Sequence, residues 1–300
     1  MTSIPFETLL TYLYVLVDDW YKGEGATLMQ GKVGAKPSFS DSEMLTLMLA
    51  HDFMPYPSET QYVAFLRANY LSLFPNLVDQ SQYNRRARGL VWLTEPLRWA
   101  GLRLLGVGQP PYLLLDTKPV PVMGMKRSKR RSDFRGKADY GYCAARQFHY
   151  FGYKLVLLST LDGLPLLYDL VPASTDDRLA ADTVLERVQN VDIWRDKGFI
   201  GAAWQADIRA FTGNRVWTQK RANQHQQNPP EFDRLLNSVR ERIEGVFHSL
   251  QNTGRNLERL LAKRERGLHV RVAAKLASLV FRHVLSRCFN LDVLSFSISH

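Results

Sequence analysis

The sequence predicts an α/β protein in which a mixed five-stranded sheet, flanked by helices, follows an all-α N-terminal domain. Before about residue 105, apolar residues recur only at helical spacings. After residues 106–110, a Gly- and Pro-containing stretch, the pattern changes to short apolar runs bounded by turn residues. The 300 residues, 45% of them hydrophobic, suffice for a large core. We therefore predict a helical domain over residues 1–105 and an α/β domain over residues 106–300.

Three helix-start signals follow the first amphipathic stripe, which runs from Leu9 to Trp20. In each signal, a capping residue is followed three positions later by an acid or an amide that supports the same helix end. The three pairs are Ser40 with Glu43, Ser58 with Gln61, and Asp79 with Gln82. A helix should begin at each pair. The aromatic stripe in the second of these helices, with Tyr62 and Phe65, is typical of a core face and not of a base-stacking platform.

The second domain reads as strands and helices in an order that fits a mixed sheet. The first predicted element is a buried strand over residues 112–115 with Asp116 at its tip, and a hairpin of residues 150–158 and 164–171 around Asp162 and Gly163 follows it. A helix capped by Asp176 or Asp177 then reaches about Gln189. The last two predicted strands cover residues 191–195, directly before Asp196, and residues 216–218. Long helices follow. Asp192, which opens the fourth strand, is predicted to lie on the surface.

The charge balance indicates a polyanionic partner. Lys and Arg number 39 against 29 Asp and Glu, which gives a net charge of +10 and a pI near 9.6, so nucleic acid is the first candidate. Two cysteines without metal-site spacing are expected to be reduced thiols in a cytosol. The first apolar stretch has acidic flanks, unlike a signal peptide, and charges interrupt the C-terminal apolar segment. We therefore expect a cytoplasmic protein without a membrane partner.

Three carboxylates stand out as candidate metal ligands. Asp116 and Asp196 each end a predicted strand, and Glu244 lies at the edge of the apolar face of an amphipathic helix. That face consists of Leu236, Val239, Ile243, Val246, Phe247 and Leu250. Hard oxygen ligands, few in number, suit divalent cations that keep positions for water and phosphate oxygens. The alternative for Glu244 is a surface ion pair with Arg240, one turn earlier. The trio predicts metal-dependent phosphodiester chemistry.

Two basic groups are candidates for contact with a phosphate backbone. The first lies between residues 126 and 137 and contains seven bases against Asp133, so it contributes +6 of the net charge. Those bases are Lys126, Arg127, Lys129, Arg130, Arg131, Arg135 and Lys137. The alternative is a solvated loop. The second group, Arg85, Arg86 and Arg88, lies on the helix predicted to start near Asp79 and would dock that helix on DNA.

Several segments together resemble a known family. They are residues 114–122 (LLDTKPVPV), 141–144 (GYCA) leading into 150–155 (YFGYKL), 196–201 (DKGFIG) and 240–247 (RERIEGVF), with 39–43 (FSDSE) and 81–86 (SQYNRR) in the helical part. In this order they resemble bacterial insertion-sequence transposases of the Asp-Asp-Glu class, closest to the insertion-sequence family numbered nine-eight-two. The resemblance covers essentially the whole chain.

The resemblance implies an RNase H-like core that excises and inserts the chain's own mobile element. It implies Asp116, Asp196 and Glu244 as catalytic ligands of two Mg²⁺ ions, with Mn²⁺ able to substitute, and Arg240 as a DNA contact. The implied partners are double-stranded DNA, both terminal inverted repeats and target, and a second copy of the chain. The implied location is the bacterial cytoplasm, at the nucleoid.

The chain departs from the family pattern at two positions of the Glu244 helix. Related transposases carry a tyrosine three residues before the arginine and a lysine seven residues after the glutamate, where this chain has Asn237 and Gln251. Arg255 is the nearby base that would replace the lysine. Two other functions therefore stay open at this point: a DNA-binding protein that has lost catalysis, and an RNase H-like endonuclease that cuts structured DNA without strand transfer.

Overall fold

The computed structural model describes residues 4–31, 34, 37–125, 132–195, 201–219, 228–252 and 254–293. Among these residues the longer helices are α1 (Phe6–Trp20), α2 (Asp41–Ala50), α3 (Glu59–Asn69), α4 (Gln80–Leu104), α5 (Asp177–Leu185), α6 (Ala202–Thr212), α7 (Pro230–Asn252) and α8 (Glu265–Phe289). The strands are β1 (Tyr112–Met123), β2 (Asp139–Cys143), β3 (Phe148–Thr160), β4 (Pro165–Pro172), β5 (Asp192–Arg195) and β6 (Arg215–Thr218). A π-helical turn, Tyr21–Gly25, and a short helical segment, Ala26–Leu28, extend α1.

All three predicted helix starts are confirmed. The Ser40 hydroxyl accepts a hydrogen bond from the Glu43 N–H at 3.1 Å, while the Glu43 carboxylate accepts one from the Ser40 N–H at 2.6 Å. Ser58 and Asp79 accept the equivalent bonds from the N–H groups three residues later. These bonds satisfy N–H groups that a helix start otherwise leaves without a partner, so the short polar pairs fix where α2, α3 and α4 begin.

The chain forms two compact units, residues 1–107 with 250–300, and residues 108–249. The first boundary lies close to the predicted one. The C-terminal segment, however, belongs to the helical unit and not to the sheet unit. Val270, Ala274, Ala277 and Phe281 of α8 are buried in one apolar core with residues of α1 to α4. Gly101 of α4 is needed for this packing, since a Cβ there would lie 2.8 Å from Val280.

Buried ion pairs also hold the C-terminal segment in the first unit. The Asp52 carboxylate accepts hydrogen bonds from Arg255 at 2.6 and 3.1 Å and from the Lys275 ammonium at 3.5 Å. Glu59 accepts bonds from Asn84 at 2.6 Å and from Arg271 at 2.9 Å. Burial raises the pKa of Asp52, but the Arg255 and Lys275 cations outweigh burial and hold that pKa below its ordinary value.

The second unit is built on a mixed six-stranded sheet. The strand order is β2-β3-β1-β5-β6, and β4 pairs with β3 beside β2. Pairs β1–β3, β2–β3 and β3–β4 are antiparallel, whereas β1–β5 and β5–β6 are parallel. The predicted class, a mixed sheet flanked by helices after a helical region, is confirmed. The hairpin turn at Asp162 and Gly163 is confirmed too, with Gly163 at a φ of +87°. The strand β2 was not predicted.

The first strand is longer than the sequence indicates. β1 does not stop at Asp116 but continues through Pro119 and Pro121 to Met123, because β3 keeps pairing with it. Both prolines lie beyond the part of β1 that pairs with β5, so in the described structure the missing N–H groups cost no parallel ladder bond. Gly152 of β3 is required opposite them, since a Cβ there would overlap the Val120 carbonyl oxygen.

Helices cover both faces of the sheet. On one face, Phe232 of α7 packs against Trp194 of β5 with ring centroids 5.8 Å apart, and the Lys118 ammonium lies 5.8 Å from the ring of Phe247 on α7. On the other face, Lys154 of β3 pairs with Asp177 of α5 at 2.7 Å. The Arg195 guanidinium lies there over the ring of Trp204 on α6. The helix α5 ends at Leu185, one turn earlier than predicted.

Candidate active site

Asp116 lies on β1 at the point where its parallel pairing ends. The last β1–β5 pair joins Leu115 and Arg195, so Asp116 is the first residue of β1 beyond it, opposite Leu157 of β3. The carboxylate is half-buried, and one of its oxygens accepts a hydrogen bond from the Thr117 N–H at 2.7 Å. Side chains alternate along a strand, so Asp116 shares a face with Lys118, which reaches α7. Asp116 therefore lies on the face that α7 covers.

Asp196 lies outside the described residues. Its neighbours are described: Trp194 contacts α7, and Arg195 contacts α6 on the opposite face. Strand β5 ends at Arg195, directly before Asp196. The structure thus gives the register of the residue before Asp196 without describing Asp196 itself.

Glu244 lies where the amphipathic pattern predicts. On α7, Leu236, Ile243, Val246, Phe247 and Leu250 are buried, and Glu244 is exposed at the border of this face. Gly245 follows it, and a Cβ at Gly245 would meet no heavy atom within 4 Å. The helix surface at Gly245, directly after Glu244, is therefore open. Arg240 is part of α7, but its side chain is outside what the structure describes.

Contacts along its length fix α7 on the sheet unit. Phe232 also packs against Trp217 of β6, with ring centroids 5.5 Å apart. Further along, Arg242 donates a hydrogen bond to the Leu161 carbonyl in the β3–β4 turn at 3.2 Å, and Val246 lies beside Gly163. Asn237 accepts a hydrogen bond from Gln219, directly after β6. Asn237 thus helps to anchor α7 beside β6.

The structure corrects the expectation for Arg255. Gln251 donates a hydrogen bond to Glu258 at 2.7 Å, and Arg255 is buried with both ends of its guanidinium on Asp52. A guanidinium committed to a buried carboxylate cannot take the place of an exposed lysine. Arg255 is a structural residue of the first unit.

The structure also corrects the expectation that Arg86 contacts DNA, because its guanidinium is engaged within the protein. It pairs with Asp41 at 2.7 Å, bonds to the Phe39 carbonyl and lies over the Phe39 ring. These contacts hold α4 to the start of α2. Arg85, one position earlier, is exposed.

Only part of the basic segment 126–137 is described. Lys126, Arg127, Lys129, Arg130 and Arg131 lie outside the described residues. Arg135 and Lys137 are exposed on a turn that the buried Phe134 anchors, with its ring 6.2 Å from Tyr153. Tyr153 is opposite Val120 on β1, two positions beyond Lys118, and therefore on the face of Asp116. The turn that carries these two bases is therefore anchored on that face through Phe134.

Three other acids of this unit have structural roles. Asp162 accepts a hydrogen bond from Thr160 in the hairpin turn, and Asp176 caps α5 through the Arg178 N–H, both as predicted. Asp192 is not a surface residue: it is buried and accepts hydrogen bonds from Arg215 at 2.6 Å and Trp217 at 2.7 Å. The sequence interpretation did not single out Lys118, which shares the sheet face of Asp116. Its signal was its position, two residues after Asp116 on the same strand face.

Among the described residues, no group of three or more His, Cys, Asp or Glu side chains is arranged to hold a metal ion. That statement does not cover Asp116, Asp196 and Glu244 as a group, because Asp196 is not described. The residues fit the chemistry of a hard cation, since all three candidates supply carboxylate oxygens. In the described part of the chain, no helix combines the length and the apolar character needed to cross a membrane.

A parallel pair, β1–β5, joined to antiparallel strands and covered by helices on both faces, defines an RNase H-like domain. Residues 108–281, more than half of the chain, match the family model of the transposase DDE domain, and the chain belongs to this family. Domains of this family act on DNA and use divalent metal ions. No curated protein and no solved structure matches the chain.

Proposed function

We propose that the protein is a DNA transposase that cleaves the ends of an insertion sequence and joins the freed 3′-OH to target DNA. The observation that carries this proposal is the register of β1 and β5. Leu115 is opposite Arg195, and the next residues in the sequence are Asp116 and Asp196. Trp194, two residues before Asp196, lies on the face of Asp116 and of α7, the helix that carries Glu244.

Three carboxylates from three elements match what divalent cations require. Two Mg²⁺ ions held by Asp116, Asp196 and Glu244, or Mn²⁺ in their place, would activate the attacking oxygen and stabilise the leaving oxygen. The partial exposure of Asp116 and the exposure of Glu244 support this role, because a DNA strand has to reach the same carboxylates.

Basic side chains near these acids supply the grip on DNA. Lys118 shares the face of Asp116, and its ammonium is within reach of a phosphate bound there. Arg135 and Lys137, with the bases of residues 126–131 before them and Arg240 on α7, are proposed to hold the phosphate backbone beside the acids. These contacts position DNA and carry no sequence information. Acting on two element ends calls for a second copy of the chain.

The reaction has two displacement steps. In the first, water attacks the phosphodiester at the element end, and the 3′ oxygen leaves as a 3′-OH. In the second, this 3′-OH attacks a phosphodiester of target DNA, forms the new bond and releases a target 3′-OH. Both steps replace one oxygen on phosphorus with another, so one site serves both. The narrower assignment to insertion-sequence family nine-eight-two is part of this proposal.

The test is incubation of the full chain with Mg²⁺ and a labelled duplex that carries the ends of its element. Nicked and joined products are expected. Nicking without joining would favour an endonuclease, and binding alone would favour the DNA-binding protein without catalysis, to which the internal bonds of Asn237 and Gln251 point.

Single variants assign the acids. Asp116→Ala, Asp196→Ala and Glu244→Ala are each expected to abolish nicking while DNA affinity stays close to wild type, because phosphates are held elsewhere. Glu241→Ala is the matched control: Glu241 is an exposed acid on the same helix. Nicking retained by any of the three variants would remove that residue from the site.

A further inference from the structure

Helices α4 and α8 of the first unit run side by side in the same direction. Gly101 of α4 is against Val280 of α8, and the Cys288 thiol near the end of α8 contacts the Leu104 carbonyl at the end of α4. At the other end, Arg266 in the first turn of α8 donates a hydrogen bond to the Arg88 carbonyl at 3.0 Å. The first turn of α8 therefore lies beside the third turn of α4, about two turns from the start of that helix.

Basic side chains of α4 and of the residues around the start of α8 lie at this end. Arg85, Lys263, Arg264 and Arg266 are exposed, and Arg88 is half-exposed. Glu265 is the only acid between residues 259 and 271, and Asp79 is engaged as the cap of α4. Five cations therefore stand against two acids. Glu59 links the two helices, because it accepts hydrogen bonds from both Asn84 of α4 and Arg271 of α8.

Glycines give an independent observation at the same place. Gly89 follows Arg88 in the interior of α4, and Gly267 follows Arg266 in α8; a Cβ at either would meet no heavy atom within 4 Å. Glycine inside a helix destabilises it relative to alanine. Gly101 in the same helix is required by close packing, but nothing described in this unit requires Gly89. An exposed helix surface kept free of a Cβ suits a partner whose backbone comes close.

We propose that Arg85, Arg88, Lys263, Arg264 and Arg266 form one surface, here called the helix-end surface, that binds the phosphate backbone of duplex DNA. Gly89 is the point at which the DNA backbone approaches α4. The exposed Trp92, one turn after Arg88, borders the surface. This inference rests on the proposed function for the choice of DNA as the anion. It replaces the predicted group of Arg85, Arg86 and Arg88 with a set drawn from both ends of the chain.

The first test measures how DNA affinity of the full chain depends on salt. Arg85→Gln with Lys263→Gln removes two exposed cations, one from each part of the surface. The slope of log affinity against log salt should fall by about 0.9 for each phosphate that the variant no longer neutralises. The matched control is Lys22→Gln with Arg103→Gln, two exposed bases of the same unit paired with Asp18 and Glu24. The control should keep the wild-type slope.

The outcomes separate the two proposals. If the wild-type chain does not bind duplex DNA, both the surface and the proposed function fail. If wild type binds and nicks DNA while the double variant keeps the wild-type slope, only the helix-end surface is overturned.

A second test uses effects of opposite sign. Gly89→Ala should raise the melting temperature, because alanine favours the helix, and yet lower DNA affinity, because the new Cβ obstructs the backbone. Gly101→Ala should instead lower the melting temperature, because it overpacks α4 against α8. A Gly89→Ala protein that is stabilised and binds DNA as wild type does would overturn the close approach at Gly89.

Discussion

Asp52 of the helical unit and the candidate ligands of the sheet unit lie in opposite surroundings. In the helical unit, Asp52 is buried and bonded to Arg255 and Lys275. In the sheet unit, Asp116 is half-buried beside the end of the β1–β5 ladder, and Glu244 is exposed at a helix border. A buried carboxylate is tolerated only when cations and hydrogen bonds compensate it. The difference teaches that the surroundings of an acid, and not its residue type, separate a structural acid from a candidate ligand.

The cations around Asp52 sharpen this contrast. Burial lowers the pKa of Lys275 and lowers the pKa of Arg282 to about 10, against the opposing pull of Asp52. Arg282 is accommodated by the Phe53 ring, 4.5 Å from its guanidinium, and by the Val293 carbonyl at 3.2 Å. The helical unit thus buries Asp52 among several of its own basic side chains. The sheet unit is proposed to gather acids that cations from solution neutralise.

The largest expected effect is on stability, in the helical unit. Asp52→Ala leaves Arg255 and Lys275 buried without their carboxylate, which should cost about 3–5 kcal/mol of unfolding free energy. Asp116→Ala, in a half-exposed position, should cost less than about 1 kcal/mol. Urea titrations of the two variants compare them. Equal losses would break the distinction between the two acids.

The Asp52 effect should depend on pH. The folded-state pKa of Asp52 is below the unfolded value of about 3.9, so its stabilisation is complete above that value and disappears as pH falls through the folded pKa. The difference in unfolding free energy between wild type and Asp52→Ala should therefore be constant near pH 7 and shrink below about pH 4. A difference that grows in acid would mean that Asp52 is protonated in the fold.

The acids of the sheet unit should respond to metal instead. If Asp116, Asp196 and Glu244 converge, Asp116→Asn removes repulsion among like charges and should melt at or above wild type in chelator. Wild type should gain about 2.7 kcal/mol from Mn²⁺ at roughly 100 times its dissociation constant, and the variant much less. Thermal melts with and without Mn²⁺ measure both. Equal metal-induced shifts in the two proteins would defeat the proposed ligand role of Asp116.

Sequence patterns predicted local features well and long-range partners poorly. The three caps, the hairpin turn and the border position of Glu244 depend on residues within a turn or two, and each is confirmed. The roles of Arg86 and Arg255 depend on Asp41 and Asp52, which are distant in sequence. The extension of β1 through Pro119 depends on which edge β5 occupies, and the place of α8 in the first unit depends on packing against α4. None of these is encoded in a local pattern.

The smallest expected loss of unfolding free energy is at Asp192, four residues before Asp196. This acid allows a structural carboxylate to be compared with the candidate ligands within the sheet unit. Asp192 is buried like Asp52, but its partner Arg215 is half exposed to solvent and stays hydrated without it. Asp192→Asn keeps an oxygen that can accept the Trp217 bond, so the loss of unfolding free energy should be about 1 kcal/mol. Its Mn²⁺-induced shift in melting temperature and its nicking activity should match those of wild type. Loss of the Mn²⁺ response in this variant would contradict the purely structural role of Asp192 and would make it a candidate metal ligand.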